Sequence, residues 1–365
     1  MDVSAPLSDM ESVTCPNCGA SLSYKPGTTS LVCEHCGTTV AIKTENATPA
    51  DARKENDLAT ALASGWQANQ LQAKSFVVKC PACGAQTSLD KKMFSDACAF
   101  CGSPITVQPD ERAVAHPQAV LPFKLEKSAA SASFAKWLRK LWFAPNNLAK
   151  FASADHFNGV YLPFWTFDAG TKTDYRGERG VHYVETHKNS KGETVRETKT
   201  RWSPASGEVR RDFNDILITA SQALPEIYLN RLEPWDLGSL AHYDFRYLSG
   251  FMAEVSQVDI ASGFEGAKQV MAVTIDQDIR GDIGGDVQRI DEQHTNYFRT
   301  TYKYILLPAW LSVYRYGSKI YRFVVNARTG EVHGERPYSA IKIALAVLVA
   351  LIIIGIVTYL VLNGQ

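Results

Sequence analysis

The sequence predicts an α+β multidomain fold, and three observations predict it. All eight cysteines fall into four CxxC pairs. A long region after them reads as alternating strands with helical periodicities on either side. Near the C-terminus, twenty consecutive residues carry no charge. The expected division is a four-cysteine ribbon at 1–44, a helical linker at 45–75, a second ribbon at 76–108, a β-rich α+β domain at 109–338 and a transmembrane helix at 339–362.

Bulk composition narrows the class. A chain of 365 residues can hold one sizeable domain plus small modules. A hydrophobic share of 45% excludes a mostly disordered protein. The 38 basic and 38 acidic side chains cancel, whereas a dedicated nucleic-acid binder carries a basic excess. The opening MDVSAPLSDMES is acidic and has no apolar core, so no secretory signal is expected.

The uncharged run spans Ile343 to Leu362. As a helix at ~1.5 Å per residue it would cover ~30 Å, the hydrocarbon thickness of a bilayer. A buried core helix is the alternative, but the run has no polar face to turn toward water. Arg328, Arg336 and Lys342 precede it and only Asn363, Gly364 and Gln365 follow, so the positive-inside rule puts the N-terminal bulk in the cytoplasm, on an inner membrane.

The first cysteine set is Cys15, Cys18, Cys33 and Cys36; the second is Cys80, Cys83, Cys98 and Cys101. Each has fourteen residues between its pairs, and the second repeats the first at a 65-residue offset in all four positions. The flanks repeat as well, CPNCGAS against CPACGAQ and CEHCGT against CAFCGS. Two residues between cysteines let one tight turn aim both sulfurs at one ion, and a second turn completes a tetrahedron at ~2.3 Å per Zn–S bond. Gly19, Gly37, Gly84 and Gly102 suit turns that need positive φ, and Pro16 and Pro81 stiffen their starts.

Two Zn2+ ions are therefore expected. Disulfides fit the even count but not a cytoplasmic placement. An iron–sulfur cluster uses the same ligands, but twin CxxC pairs on hairpins are commoner for zinc. A redox CxxC comes singly in a βαβ setting, which is missing here. Four thiolates saturate zinc and leave no place for water, so both sites read as structural. His35, inside one turn, reads as a bystander.

Basic hairpin faces would mark nucleic-acid binding. Residues 1–45 set Lys25 and Lys43 against Asp2, Asp9, Glu11, Glu34 and Glu45; residues 75–108 set Lys79, Lys91 and Lys92 against Asp90 and Asp96. Phosphate neutralisation dominates such affinity, and these surfaces are poorly charged for it. Protein binding is the better expectation, with nucleic acid the alternative.

Between and after the ribbons, Leu58, Leu62 and Trp66 have helical spacing, as a spacer packed on a ribbon would. A helix is also expected over Ser128–Trp142, with Phe134, Trp137, Leu138, Leu141 and Trp142 on one face and Lys136, Arg139 and Lys140 off it. It would either pack on a sheet, the favoured reading, or lie on a membrane surface. Val160 to about Phe213 reads as a strand meander with glycine turns, Gly263–Asp278 as a helix, and Tyr302–Tyr316 and Lys319–Val325 as strands before a turn at Asn326–Gly330. Tyr161-Leu162-Pro163-Phe164-Trp165 echoes Leu306-Leu307-Pro308-Ala309-Trp310, the mark of two related β-units.

No catalytic set emerges, so no enzyme is expected. There is no GxxxxGK[ST] phosphate loop; Gly281-Asp282-Ile283-Gly284-Gly285 has neither the spacing nor the lysine. Asp276, Asp278 and Asp282 lack the remaining acids of a calcium loop. Asp155-His156 has no GxSxG elbow beside it.

The chain resembles a bacterial family of membrane-anchored twin zinc-ribbon proteins, with ribbons of the TFIIB type, associated with phage-shock-A-like and flotillin-like (SPFH) proteins. The resemblance rests on CPNCGA…CEHCG, CPACGA…CAFCGS, LPFK (Leu121–Lys124), YLPFWTFD (Tyr161–Asp168), LEPWDL (Leu232–Leu237) and LLPAWL…YRFVVNARTGEVHGERPYS. It implies an adaptor in membrane stress or membrane organisation. A second likeness, to the primosomal helicase called protein N′ or replication factor Y, rests on the eight cysteines alone; the helicase's ATPase motifs are missing here.

Overall fold

A computed structural model describes residues 13–42, 49–64, 72–88, 97–105, 110–145, 157–188, 190, 192, 194–316 and 319–363. Trp66 and the Asp155-His156 pair lie outside the described residues.

The first ribbon is a separate three-stranded antiparallel sheet of β1 (Leu22–Tyr24), β2 (Ser30–Cys33) and β3 (Thr39–Ala41). The segment expected as a helical linker alternates instead: α1 (Pro49–Ala52), a two-residue strand β4 (Asn56–Asp57), α2 (Leu58–Ala63) and the start of β5 (Gln72–Lys79). It is no free spacer. Ala52 packs beside the second cysteine set, and Leu58 sits under Trp165 and Tyr302 with 1% exposure.

The second ribbon is built into the body. Its β5 and β6 (Gln86–Ser88) pair with each other, and β7 (Asp110–Ala115) extends them. They join one twelve-stranded sheet with β4, β8 (Ala119–Val120), β9 (Phe157–Lys188), β10 (Thr194–Thr219), β11 (Ala241–His242), β12 (Met252–Glu254), β13 (Val287–Tyr316), β14 (Lys319–Asn326) and β15 (Val332–Gly334). Four more α-helices are described: α3 (Lys127–Lys140), α4 (Glu226–Leu229), α5 (Ile260–Ile283) and α6 (Ala340–Asn363). The fold is thus α+β, with two four-cysteine clusters, a large β-rich body and one apolar C-terminal helix.

The expected meander over 160–213 is a single long hairpin, β9 with β10, and β13 pairs along the other edge of β9. The glycines that read as turns sit inside the strands, where neighbours come too close for a side chain. A Cβ on Gly170 would lie 2.5 Å from the Phe298 ring, and one on Gly177 2.1 Å from the Arg289 carbonyl oxygen.

Both faces of the central strands are covered, so they read as continuous apolar runs. On one face, Tyr161, Leu306 and Trp310 pack against the first ribbon and α3, while Trp165, Phe167, Tyr302 and Tyr304 pack against α5. On the other, Val160, Leu162, Phe164, Ile305, Leu307 and Leu311 pack against the second cysteine set and the segment from Ala223 to Leu240.

The sequence echo is a duplication with a local two-fold axis. Leu162 and Leu307, its matched positions, pair directly across β9 and β13. β8–α3–β9–β10 and β12–α5–β13–β14 follow the same order. Trp165 faces Ile218 and Trp310 faces Val325 in equivalent hairpin registers. Ala220 N–H donates to the Pro163 carbonyl at 2.9 Å, and Ala327 N–H to the Pro308 carbonyl at 3.1 Å. The Trp165 indole donates to Val258 O at 3.0 Å, the Trp310 indole to Leu125 O at 2.9 Å, each acceptor one residue before the N-cap of its helix. The short strands are exchanged: β8 runs parallel to β13, and β12 parallel to β9.

Candidate metal centres

Each cysteine pair sits on the same turn, drawn four times. The glycine after the second cysteine donates its N–H to the carbonyl of the first: Gly19 to Cys15, Gly37 to Cys33, Gly84 to Cys80 and Gly102 to Cys98, at 2.8–2.9 Å. A second bond closes the turn, from the N–H of Cys15, Cys33, Cys80 and Cys98 to the carbonyls of Ala20, Thr38, Ala85 and Ser103. The four glycines have φ between 71° and 77°, the left-handed conformation that glycine adopts without steric cost.

The turns bring four sulfurs to one point in each set, all within 4.8 Å of one another. Cys15 and Cys36 Sγ lie 3.6 Å apart, Cys18 and Cys33 3.5 Å, Cys80 and Cys101 3.6 Å, and Cys83 and Cys98 3.7 Å. A tetrahedron with ~2.3 Å bonds has edges of ~3.8 Å. The distances fit such a site and are far too long for disulfides, which need ~2.05 Å. All eight thiols are free. The two groups are positioned to bind two zinc ions, with the residues expected from spacing.

The two centres differ in surroundings. In the first, Cys15 and Cys33 are buried while Cys18 and Cys36 are exposed. The second is sunk in the body: Cys80, Cys98 and Cys101 are buried, and Phe100, 1% exposed, lies between two ligands. Metal binding needs thiolates. Thr38, whose hydroxyl lies 3.1 Å from Cys36 Sγ, brings that thiol down to about 5. Burial works against the Cys101 thiolate, but hydrogen bonds from Ser103 prevail and hold it at about 7. Cys18 is pushed up to about 12: a hydrogen bond from the Ala20 backbone favours its thiolate, but Cys36, burial and the other thiols together outweigh it. Each set thus holds a thiol lowered toward its thiolate, Cys36 or Cys101, beside raised ones, Cys18 in the first set and Cys83 and Cys98, lifted by burial, in the second.

Sequence reasoning missed a third convergence. Glu55, Asp168 and Asp215 bring carboxylate oxygens within 4.8 Å of one another. An ammonium already sits among them. Lys303, 3% exposed, donates to Glu55 and, at 2.8 Å, to Asp215, while Asp168 accepts the Asp215 N–H at 2.6 Å. Burial lowers and these carboxylates raise the Lys303 proton affinity, and the carboxylates prevail. The cluster ties β4 and its neighbours to β9, β10 and β13. Its members are far apart in sequence, so no motif announces it.

The aspartates of the rejected calcium reading have protein partners. Asp276 accepts from Gln293 at 2.9 Å, Asp278 pairs with Arg211, and Asp282 accepts the Tyr175 hydroxyl at 2.5 Å. Gly284 and Gly285 end α5 and turn the chain into β13.

Fold and sites together define a two-zinc-site protein whose duplicated β-rich body carries an apolar helix of membrane-spanning length. No family model matches the chain, and no solved structure matches it. It is similar to a protein of Bacillus subtilis (strain 168) named Uncharacterized protein YdjG, 28% identical over 232 residues, which is 62% of this chain. The match spans 66% of that protein, just under two thirds of its length.

Proposed function

We propose that the protein is a membrane-anchored adaptor or scaffold, working in membrane stress or membrane organisation. The observation that carries this reading is the pairing of two closed four-thiolate centres with α6 on one chain. Saturated zinc holds a surface in shape and offers no position for a substrate. The ribbons and body then face the cytoplasm and recruit protein partners; the sequence resemblance points to phage-shock-A-like or SPFH proteins. The protein acts as a recruiter and not as an enzyme, with nucleic acid the alternative partner of its ribbons.

Affinity capture of the full chain from detergent-solubilised membranes tests this. A defined protein partner, lost when Cys18 and Cys36 are changed to serine, is the expected result. Recovery of lipids and chaperones alone would overturn it. Salt-sensitive binding of the detergent-solubilised full chain to single- or double-stranded DNA or RNA would favour the replication or transcription alternative.

A further inference from the structure

The end of α3 and the start of α6 form one surface. After Lys140 the helix stops, and Leu141 leaves the helical conformation with ψ of 77°. The next three residues turn beneath it. Ala144 is buried, whereas Phe143 is 42% and Trp142 84% exposed, the latter among the most exposed large apolar side chains described. This turn is fastened to the apolar helix. Ser339 N–H donates to the Phe143 carbonyl at 2.7 Å, and the Lys342 ammonium to the Ala144 carbonyl at 2.8 Å. Tyr338 and Ile341 are exposed beside it at 58% and 83%. The Arg336 guanidinium lies 5.4 Å over the Tyr338 ring, and Arg139 and Lys140 are exposed at the end of α3.

We infer that this patch is a membrane seat: Trp142, Phe143, Tyr338 and Ile341 enter the interfacial layer of the bilayer that α6 crosses, and the exposed Arg139, Lys140 and Arg336 meet anionic headgroups. The inference rests on the reading of α6 as a membrane span. Depth supports it. Ser339 precedes the apolar run at Ile343 by four residues, ~6 Å along a helix. The headgroup layer on each side of the hydrocarbon is ~5–7 Å thick. The turn bonded to Ser339 therefore lies at headgroup level, where tryptophan and tyrosine rings concentrate. Charge supports it too, since the patch offers three exposed basic side chains, and each near an anionic surface adds attraction. Exposed aromatic rings that would be a liability in water become an anchor at this height. The body is thus held against the bilayer at two points, through α6 and through a turn that begins some two hundred residues earlier in the chain.

The test uses the full chain reconstituted into vesicles containing phosphatidylglycerol, with and without lipids brominated near the headgroup end of the acyl chains. None of the seven tryptophans lies in α6, so any quenching reports the body. Flotation of the vesicles reads the span separately. The expected result is co-flotation, bromine quenching of the wild type, and loss of the quenched component in Trp142→Phe, with zinc content unchanged. Co-flotation with equal quenching in both proteins overturns the seat and leaves the span standing. Failure to co-float overturns the span, and the seat with it.

Discussion

At the scale of single residues, the two zinc sites are chemically alike and physically unlike. Exposed Cys18 and Cys36 leave the first open to a chelator, whereas burial shields the second. Competition with a chromogenic chelator should release zinc in two phases, one equivalent each. Cys36→Ser should abolish the fast phase and Cys83→Ser the slow one. Another residue carries a pH dependence. Glu254, 2% exposed, accepts from Ser221 at 2.8 Å and Gln257 at 3.1 Å, but burial dominates and raises its carboxyl to about 8. The folded protein keeps the neutral form, so this group's contribution to stability is complete below its unfolded value of ~4.3 and drains away as pH rises toward 8. Glu254→Gln should remove that slope, a difference of about 2–4 kcal/mol between pH 5 and 8 by denaturant titration against wild type.

At the scale of elements, α3 shows where a helical stripe stops being informative. Phe134 stacks on Phe323 with ring centres 3.6 Å apart and is 1% exposed, and Trp137, Leu138 and Leu141 pack beside it. The spacing that revealed this face was read one residue too far: Trp142 lies beyond the break at Leu141 and is 84% exposed. Phe134→Ala should cost about 3–5 kcal/mol in thermal or denaturant melts, as buried aromatic truncations do. Trp142→Ala should cost under ~0.5 kcal/mol, as exposed substitutions do. In the Glu55–Lys303–Asp215 cluster, Lys303→Met should cost about 1–3 kcal/mol, because it leaves half-buried carboxylates facing one another without their ammonium. A neutral outcome there would mean that solvent reaches those acids.

At the scale of the whole molecule, legibility followed the range of the interactions. The metal centres were readable residue by residue, since a CxxC turn is local and its glycine is forced by φ. The length of α6 was readable because an uninterrupted uncharged apolar run is itself a local feature of the sequence. The sheet was only half readable. Glycines at 170 and 177 looked like turns, and nothing local says that a distant strand passes over them. The second ribbon looked like a free module, yet Ala253 and Glu254 of β12 pair with Ser88 and Thr87 and draw β6 into the large sheet. The duplication left a faint trace because its repeated bonds use backbone carbonyls, which tolerate different side chains around them.

The exchanged strands β8 and β12 make the two halves of the body depend on each other. Each half of the body lends its first strand to the other half, which is how two copies of one polypeptide would clasp as a symmetric pair. A single half keeps its hairpin, β9–β10 or β13–β14, but lacks the parallel strand that lies beside it. Severed after exposed Gly250, neither fragment should melt cooperatively alone. Co-expressed, the two should find each other and copurify, since each supplies the parallel neighbour that the other's long strand lacks.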